Sequence, residues 1–526
     1  MRVLVADPVA EEGILMLRQA GIEVTVKTGM KKEELLPFIA PFDGLIVRSE
    51  TQVDADVLAA GKKLQIVVRA GVGVDNINTE AATKLGVLVA NAPTANTIAA
   101  AEHTMALMLA MARHVHKAHA SMKAGEWARN KFMGVELRGK TLGVIGLGKV
   151  GSEVVRRSKS FEMRVIAFDP FVSKEYAARL GVELGTMDDL LTQSDFLTVH
   201  VPLTADTSTL IGKTELAKMK PTARVLNVAR GGIIDEQAVY EAVESGKLAG
   251  AGIDVFTKEP AKDNIVVKSD KILVTPHLGA STAEAQTNVS IESAQQIIDV
   301  MNGKPARYAV NAPMVLPEAL AVLTPFVQVG QVIGKLATQL AEGQFSSINI
   351  IYAGDIAQYD TLFLKAAVVG GLLAPVSEER VNVVNVGMVT AKRGMTITER
   401  KDPASPTYRN LLTVEVTTSA GKTVVAGTSV SGRTHIAQIN EYPLDVAAGE
   451  GGYMLLIENQ DRPGMIGAVG TLAGQHDVNI SFMEVGRISP RGRAMMAVGI
   501  DERMPEDALA KIHKLPGIIS ARSVRV

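Results

Sequence analysis

Short apolar runs alternate with longer segments of mixed polarity along residues 1–310. Apolar runs of about four to eight residues are typical of strands buried on both faces of a parallel sheet, and the segments between them have the length of helices. The pattern therefore predicts an α/β fold with open parallel sheets. The strand-like runs are VLVADP, GLIVRSE, LQIVVRAG and LVANAP, followed by TLGVIGL, RVIAF, FLTVHVP, ARVLNVA, GAGIDVF and KILVTPH.

The pattern changes in the second part of the chain. A helix is predicted over residues 320–342, and the runs SSINIIYAG, NLLTVEVTT and KTVVAGTSV then predict strands of a mixed domain. The final runs YMLLIEN, NISFMEVGRI, AMMAVGID and SARSVRV are interleaved with helical segments at residues 464–475 and 505–515. Their order, βαββαβ, is typical of a ferredoxin-like module.

These elements predict a multidomain α/β chain of four units. A flavodoxin-like first domain comprises residues 1–98 and 284–310, and a Rossmann nucleotide-binding domain, residues 99–283, is inserted in it. A mixed α/β intervening domain covers residues 317–443, and the ferredoxin-like module covers residues 452–526. The Pro- and Gly-rich runs GKPARYAVNAPMVLP and DVAAGEGG are predicted linkers.

Two helices are expected to cross between the first two domains. One long helix is predicted over residues 97–123, and a second helix over residues 283–302 returns the chain to the first domain. Two crossing segments leave a cleft between the domains, and such clefts are where small ligands usually bind.

Residues 137–170, LRGKTLGVIGLGKVGSEVVRRSKSFEMRVIAFDP, contain a complete dinucleotide-binding unit. Gly146, Gly148 and Gly151 form G-x-G-x-x-G between a strand and a helix. The first glycine permits a tight turn, the second lets the backbone approach a pyrophosphate, and the third lets helix pack on strand. Asp169 ends the next strand, where a carboxylate binds the ribose hydroxyls. Because Pro170 follows instead of an arginine that could neutralise a 2′-phosphate, the sequence predicts NAD rather than NADP.

Composition narrows the classes of function. A chain of 526 residues is too long for one hydrophobic core, and a formal net charge of -1 provides no general field for nucleic acid or anionic membranes. The absence of cysteine excludes disulfides and thiolate metal sites. The first residues lack the apolar core of a signal peptide, and the apolar stretch at residues 98–112 is shorter than the roughly 20 residues of a membrane span. We expect a cytoplasmic protein with neither nucleic acid nor membrane as partner.

Three polar residues follow strands of the predicted nucleotide-binding domain, where an open parallel sheet presents its ligands. The planar fork of Arg230 can bind a carboxylate bidentately and polarise an adjacent carbonyl. His277 is the candidate acid/base, and Glu259 can hydrogen-bond the other nitrogen of its ring and fix the tautomer. Taken singly, each residue has an equally good structural interpretation as a satisfied histidine or a solvated charge.

The motifs around these residues resemble those of the D-isomer-specific 2-hydroxyacid dehydrogenase family. The runs that carry the resemblance are ARGGIIDE, DVFTKEP and TPHLGAST, with VHVPLT and RAGVGVDNI before them. It implies hydride transfer to NAD with Arg230, Glu259 and His277 in the roles described, a first domain that binds the substrate, and no metal. The cofactor contacts that it implies beyond the three glycines and Asp169 are Lys149, Val150, His200, Pro202, Thr207, Ala229, Asp254 and His277.

The predicted strand ends of the first domain carry candidate substrate contacts. Arg48 with Ser49 follows one strand, and Arg69 precedes the turn Gly71, Val72 and Gly73, whose backbone N–H groups can bind a carboxylate. Two arginines suggest a second anionic group such as a phosphate. Further candidates are Asn96 and the pair Arg129 and Lys131, which would reach in from a neighbouring subunit or, equally well, form solvated surface charge.

The domain order resembles the long form of the same family, which ends in an ACT domain. That resemblance implies 3-phospho-D-glycerate as substrate and oxidation to 3-phosphohydroxypyruvate as the first step of L-serine biosynthesis. It also implies L-serine as effector at an interface between paired ACT domains, and a homodimer or homotetramer. Asp461 and Asn479 match the effector positions and Asn459 is a weaker candidate, although turn formation also explains these residue types. The middle domain resembles the allosteric domain of such long forms. An anionic effector is therefore expected to bind there, near Lys392, Arg393, Arg433 and His435.

Two alternatives remain at this point. The first is a glyoxylate or hydroxypyruvate reductase that uses the same three residues on the same fold. The second is a NAD-sensing binding protein without turnover, against which the intact Arg230, Glu259 and His277 argue, because function resides in the site and not in the fold.

Overall fold

The computed structural model describes residues 1–313, 317–377, 381–405, 407–448 and 452–526, with the side chain of residue 317 left aside. The described residues form four sheets, of five, seven, six and four strands. The two parallel sheets come first in the chain, followed by the mixed sheet and the antiparallel one. The predicted multidomain α/β fold is confirmed. Parts of the two predicted linkers, residues 314–316 and 449–451, lie outside the described residues.

The first sheet is parallel and has the strand order β2-β1-β3-β4-β5, which is the flavodoxin-like order. Its elements are β1 (Arg2–Val5), α1 (Glu11–Gln19), β2 (Glu23–Val26), α2 (Lys32–Phe38), β3 (Gly44–Val47), α3 (Ala55–Ala60), β4 (Ile66–Arg69), α4 (Thr79–Lys84) and β5 (Leu88–Asn91). The later helix α12 (Ala283–Met301) packs against α1, and its Val289, Ala294 and Ile297 share a core with Val3 and Val5 of β1. The chain therefore returns to this domain.

The second sheet is parallel, with the order β12-β11-β10-β9-β6-β7-β8. Its strand order reverses between β6 and β9, which places a ligand crevice at their carboxyl ends. The elements are α5 (Thr97–Ala112), α6 (Val115–Lys123), β6 (Thr141–Ile145), α7 (Lys149–Ser160), β7 (Arg164–Phe168), α8 (Lys174–Leu180), β8 (Glu183–Leu184), α9 (Met187–Gln193), β9 (Phe196–Val199), α10 (Lys213–Lys218), β10 (Arg224–Asn227), α11 (Glu236–Glu244), β11 (Gly250–Ile253) and β12 (Ile272–Val274).

The prediction of one helix over residues 97–123 was wrong. The structure divides it into α5 and α6 at His114, whose φ of 52° lies in the left-handed region. A left-handed residue ends the helical repeat of backbone hydrogen bonds. The chain has neither glycine nor proline at this point, so the sequence carries no signal for the break.

The third sheet is mixed and has the order β14-β13-β15-β16-β17-β18. Its elements are α13 (Pro317–Leu340), β13 (Phe345–Gly354), α14 (Leu362–Leu373), α15 (Val386–Lys392), β14 (Ile397–Asp402), β15 (Asn410–Thr418), β16 (Gly421–Val430), β17 (Arg433–Ile439) and β18 (Tyr442–Ala447). The segment Glu318–Leu340 is the one described helix long and apolar enough to cross a membrane. Its Leu323, Val329 and Ile333 pack in one core with strands β13, β15 and β16, which is the environment of a core helix.

The fourth sheet is antiparallel and has the order β20-β21-β19-β22. Its elements are β19 (Tyr453–Gln460), α16 (Met465–Gln475), β20 (Ile480–Arg487), β21 (Arg493–Ile500), α17 (Glu506–His513) and β22 (Ile518–Arg525). The predicted βαββαβ order is present, and both helices share one core with β19 and β21.

Candidate active site

The glycine-rich turn between β6 and α7 has room for a cofactor on one side only. Gly146 has a φ of 93°, and a Cβ built on Gly151 would lie 2.0 Å from Gly146 O, so the turn packs tightly beneath the helix. A Cβ on Gly148 would meet no described atom within 4 Å. The open face of Gly148 thus lies where a pyrophosphate would approach the backbone.

The amino terminus of α7 and Asp169 complete a cradle for a dinucleotide. Gly148 caps α7 without a side chain, so the first N–H groups of the helix are available to an anion. Asp169 accepts hydrogen bonds from Leu147 N at 2.8 Å and from Phe171 N at 2.9 Å, one at each carboxylate oxygen. Each oxygen keeps a free lone pair for a ribose hydroxyl. The residues present therefore fit NAD.

The other predicted cofactor contacts occupy loops around this cradle. Val150 follows Lys149 in α7, and Lys149 Nζ lies 5.5 Å from the ring centroid of Tyr308, which belongs to the returning segment of the chain. Thr207 Oγ1 donates to Pro202 O at 2.6 Å and accepts from Thr204 N at 2.7 Å. Both hydrogen bonds lie within the loop after β9, so Thr207 shapes that loop.

His200 and Ala229 lie at the ends of β9 and β10. Burial lowers the pKa of His200 to about 4, so its imidazole is neutral at pH 7. Its Nε2 atom lies 3.0 Å from Thr198 Oγ1. Ala229 N donates to Asn227 Oδ1 at 3.1 Å, and Ala229 O accepts from Arg230 Nη1 at 2.7 Å. Ala229 thereby restrains the guanidinium of its neighbour.

His277 and Glu259 form the hydrogen-bonded pair that the sequence predicts. His277 Nδ1 lies 2.8 Å from Glu259 Oε2, and Glu259 Oε1 accepts from Phe256 N at 3.1 Å. The carboxylate is therefore fixed by its own loop while it orients the imidazole. With Nδ1 engaged, Nε2 is the nitrogen left to exchange a proton with a ligand.

Packed loops bring Arg230 to the same sheet edge. A Cβ on Gly231 would lie 2.0 Å from Phe256 O, so the loop after β10 rests on the loop that carries Glu259. A Cβ on Gly279, two residues after His277, would lie 3.2 Å from Val228 Cγ1. The loops that follow β10, β11 and β12 thus form one wall of the cleft.

The opposite wall comes from the first domain and is strongly cationic. A Cβ on Gly73 would lie 2.6 Å from Arg230 Nη2, and one on Gly71 would lie 2.7 Å from Arg69 Nη1. Burial and then the neighbouring Arg230 and Arg48 lower the pKa of Arg69 to about 10. Arg69 Nε is buried and has no hydrogen-bond partner in the described part of the chain. The guanidiniums of Arg69 and Arg230 therefore lie against the turn at residues 71–73, with Arg48 close enough to Arg69 to lower its pKa and with one Arg69 donor still to be satisfied.

Several residues that the sequence did not single out hold this wall in place. Buried Asp7 accepts from Arg48 N at 2.6 Å and from Thr51 Oγ1 at 2.5 Å. Asn76 Nδ2 donates to Arg48 O at 2.8 Å. Asp75 Oδ2 lies 3.9 Å from Arg230 Nε and is its ionic partner across the cleft. The sequence pattern could have indicated Asp7 and Asp75 as candidate site residues, since both follow apolar strand-like runs.

The remaining substrate candidates have no contact with the arginines at the turn of residues 71–73 among the contacts described for them. Ser49 is exposed beside Arg48, and Asn91 Nδ2 donates to Val72 O, which fixes the turn. Asn96 caps α5 without a side-chain hydrogen bond in the described structure. Arg129 and Lys131 lie in a short exposed turn after α6. Their approach to a site in another copy of the chain stays a prediction.

Asp254 is enclosed by the protein instead of facing the cleft. Its side chain is 0% exposed, and its oxygens accept from Thr275 Oγ1 at 2.5 Å, Leu278 N at 2.8 Å and Gly279 N at 2.9 Å. Burial acts to raise the pKa of Asp254, but hydrogen bonds, first that from His103, outweigh it and hold the pKa below its ordinary value. The direct cofactor contact predicted for Asp254 stays a prediction, while its structural contacts are all to the protein.

Three models of known protein families match successive segments of the chain, and the segments agree with the sheets described above. Residues 105–279 match the NAD binding domain of D-isomer specific 2-hydroxyacid dehydrogenases, residues 322–440 the D-3-phosphoglycerate dehydrogenase intervening domain, and residues 453–517 the ACT domain. D-3-phosphoglycerate dehydrogenase of Archaeoglobus fulgidus is 45% identical over 100% of both chains. The chain belongs to the D-3-phosphoglycerate dehydrogenase family. It is an NAD-dependent dehydrogenase of the D-2-hydroxyacid class.

Further relatives agree with this assignment. D-3-phosphoglycerate dehydrogenase of Synechocystis is 42% identical and covers 100% of this chain and 95% of the relative. The apo-structure of D-lactate dehydrogenase from Escherichia coli is 28% identical, with a TM-score of 0.54 over 59% of this chain and 100% of that chain. The likeness to D-lactate dehydrogenase thus covers part of the chain, while the dehydrogenases of this family match its full length.

The ACT domain contains a cavity of about 580 Å³, lined by Asn459, Asp461 and Arg462 together with the first turn of α16. Asn459 is 2% exposed, and its Oδ1 atom is buried without a partner among the described residues. Asp461 Oδ2 accepts from Arg491 N at 3.2 Å and from Arg487 Nη1 at 3.4 Å. Asn459, the weaker sequence candidate, thus carries the unsatisfied acceptor.

Asn479 does not share this cavity within one chain. It precedes Ile480, which pairs with Ile500 and hence lies level with Tyr453 at the start of β19, whereas Asp461 follows the end of β19. Eight residues of strand separate the two ends, a distance of roughly 25 Å. Asn479 Nδ2 donates instead to Asp501 Oδ2 at 2.7 Å. One ligand can contact both residues only if they come from two chains.

Two of the basic residues predicted for the intervening domain, His435 and Arg393, contact other side chains of the protein. His435 Nδ1 lies 2.9 Å from Asp445 Oδ1, and Arg393 Nη2 donates to Ser377 Oγ at 2.8 Å. Lys392 ends α15, and Arg433 begins β17. These contacts give no independent support for an anion site, which stays a prediction.

Proposed function

We propose that the protein oxidises 3-phospho-D-glycerate to 3-phosphohydroxypyruvate with NAD, the first step of L-serine biosynthesis. The observation that carries the proposal is the cluster of three arginines beside the turn at residues 71–73: Arg69 and Arg230 lie against the turn, and Arg48 lies near Arg69. A substrate with a carboxylate and a phosphate at opposite ends matches three cations better than a monoanionic hydroxy acid does. The family to which the chain belongs supports the same substrate.

Each side chain has a defined role in the proposed reaction. Arg230 binds the substrate carboxylate and polarises the C2 oxygen, while Arg48 and Arg69 bind the phosphate. His277 Nε2 takes the C2 hydroxyl proton, and Glu259 at Nδ1 stabilises the imidazolium that forms. Bound NAD supplies the acceptor for the C2 hydride. The positive charge at the reacting oxygen is assigned to Arg230, whose guanidinium lies at the cleft beside Gly73.

The reductase alternative differs in its dependence on phosphate. Removing the charge at Arg48 or Arg69 deletes a charge-assisted hydrogen bond of about 1.5–3 kcal/mol, equivalent to a loss of about 10- to 100-fold. We expect Arg48→Gln and Arg69→Gln to lower kcat/KM for 3-phosphoglycerate by that factor and to change the value for glycerate much less. Arg18→Gln, on the exposed face of α1, is the matched control. Equal losses on both substrates would favour the reductase.

We further propose that L-serine binds the cavity at Asn459 and Asp461 and regulates the enzyme. The Asp461 carboxylate can accept from the ammonium group, and the amino terminus of α16 can bind the carboxylate. The separation of Asn479 from this cavity supports a site shared by two ACT domains. A ligand at such a site shifts activity only if it binds one arrangement of the chains more tightly than another.

Self-association has a second candidate surface near α5 and α6. Trp127 is 82% exposed and Met133 is 86% exposed, in the segment that follows α6. The two residues are six positions apart in the chain, and exposed apolar patches are typical of protein interfaces. We propose a homodimer or homotetramer in the cytoplasm, in keeping with a chain that lacks cysteine, whereas two Arabidopsis thaliana relatives are named as chloroplastic. Sedimentation velocity at several protein concentrations tests the oligomer.

A further inference from the structure

His103 lies on the apolar helix α5 and contacts the far end of β11. Its Nε2 atom is 3.1 Å from Asp254 Oδ1 and 3.1 Å from Thr275 Oγ1. The Thr275 hydroxyl donates its proton to Asp254 Oδ1 at 2.5 Å, and a carboxylate only accepts, so His103 Nε2–H is the donor. Gly252 permits this approach, because a Cβ there would lie 3.1 Å from Met111 Sδ of α5.

Asp254 connects this contact to His277. Asp254 O accepts from His277 N at 2.8 Å, while the carboxylate holds the next two backbone N–H groups, those of Leu278 and Gly279. His277 has a φ of 55°, a left-handed conformation that is unfavourable for a non-glycine residue and persists only where neighbours enforce it. The hydrogen bonds from residues 277–279 to Asp254 contribute to enforcing it here, beside those of His277 to Thr275 O and Glu259.

The helix that carries His103 is also one of the two segments that cross between the domains. Just before α5, Thr94 Oγ1 donates to Glu292 Oε1 of α12, the other crossing helix, at 2.7 Å. His103 therefore ties the catalytic loop to the crossing segment. By contrast, its neighbour Thr104 is 0% exposed, and its hydroxyl donates to Ala100 O within α5 itself.

We propose that His103 is a positioning residue for His277: through Asp254 and Thr275 it holds the loop after β12 so that the imidazole faces the substrate hydroxyl. The inference deepens the proposed function and rests on it. Misplacing a reacting group by about 1 Å can cost about 100-fold in rate. Loss of the His103 donor should therefore slow chemistry while substrate binding, which depends on the arginines, is kept.

The test compares His103→Leu, His103→Gln and Thr104→Val in the full-length protein. We expect His103→Leu to lower kcat by about 10- to 100-fold with KM for 3-phosphoglycerate changed little. Its kinetic isotope effect with substrate deuterated at C2 should rise above the wild-type value, because the chemical step becomes more rate-limiting. His103→Gln, whose amide can reach Asp254, should recover most of kcat. Thr104→Val, at the neighbouring buried position of the same helix, should resemble wild type.

Several results would overturn the proposal. These are wild-type kcat in His103→Leu, the same loss in Thr104→Val, or a loss of rate with an unchanged isotope effect, which reports only less active protein. If His103→Leu does not fold, His103→Asn replaces it, because the shorter amide cannot reach Asp254. If wild-type protein does not oxidise 3-phosphoglycerate, the proposed function fails, and the series is run with a D-2-hydroxy acid that it does oxidise.

Discussion

At the scale of single residues, His277 and the pyrophosphate cradle belong to different loops. Its ring is held by Glu259, whereas the pyrophosphate cradle is built from backbone at Gly148 and α7. We therefore expect His277→Ala to lower kcat by about 10²–10⁴-fold, because general acid–base catalysis is lost. NADH affinity, measured by fluorescence titration, should be nearly unchanged.

The control for this variant is His119→Ala, at an exposed position of α6. It should keep the wild-type rate. A His277→Ala enzyme with wild-type turnover would remove the imidazole from the reaction, and a large loss of NADH affinity would mean that the residue supports the cradle instead.

The buried imidazole of His200 leads to a separate prediction, for the pH dependence of the free energy of unfolding. Burial lowers its pKa to about 4 in the folded protein, against about 6.5 in the unfolded chain. Between these values the unfolded state binds more protons, so the free energy of unfolding falls as pH decreases from about 6.5 towards 4. Each unit of pKa difference corresponds to about 1.4 kcal/mol.

Urea unfolding of wild type and His200→Asn at pH 7.5 and pH 5.5 measures this contribution. The wild-type protein should lose more stability on acidification than the variant, which has no titrating imidazole at the site. The same loss in both proteins would show that His200 does not titrate in this window.

At the scale of elements, motifs at the ends of apolar strands could be predicted from the sequence, whereas contacts between residues distant in the chain could not. The glycine turn and the Arg230, Glu259 and His277 motifs lie at the ends of strongly apolar strands, so their placement follows from the pattern itself. β14, with the sequence ITERKD, was missed because an edge strand with exposed charged side chains lacks apolar alternation. The contact of His103 with Asp254 joins residues 151 positions apart, which no single sequence reveals.

The turn before α7 allows cofactor binding and folding to be tested separately. Gly148 has a φ of −66°, which any residue adopts, and open space around its Cβ position. We expect Gly148→Ala to fold normally but to raise the Kd for NADH by about tenfold, or about 1.4 kcal/mol, because the methyl group occupies the approach of the pyrophosphate.

Gly151→Ala is the contrasting variant in the same turn. Its methyl group would lie 2.0 Å from Gly146 O, and overpacking of this kind costs about 1–3 kcal/mol of folding stability. Thermal unfolding should therefore report a lower Tm for Gly151→Ala and a wild-type Tm for Gly148→Ala. Wild-type NADH affinity in Gly148→Ala would contradict the placement of the pyrophosphate.

At the scale of the whole molecule, the separation of Asn479 from Asp461 means that the proposed regulation requires two chains. The proposed serine site takes Asn459 and Asp461 from one ACT domain and Asn479 from its partner. We expect L-serine to inhibit wild-type protein, and Asp461→Ala and Asn479→Ala to remove most of that inhibition while basal activity is kept, since both residues belong to the ACT domain and neither belongs to the dehydrogenase domains.

Mixing the two variants provides the decisive comparison. In a hybrid pair, one site contains both substitutions and the other contains none, so part of the serine inhibition should return when Asp461→Ala and Asn479→Ala chains are unfolded and refolded together. Each variant refolded alone is the control and should stay unresponsive. Failure of the mixture to recover inhibition, with hybrid formation verified by mass spectrometry, would place the effector within a single chain and contradict the shared site. Recovery would show that a ligand bound between ACT domains links the two chains, which is the coupling that allosteric control requires.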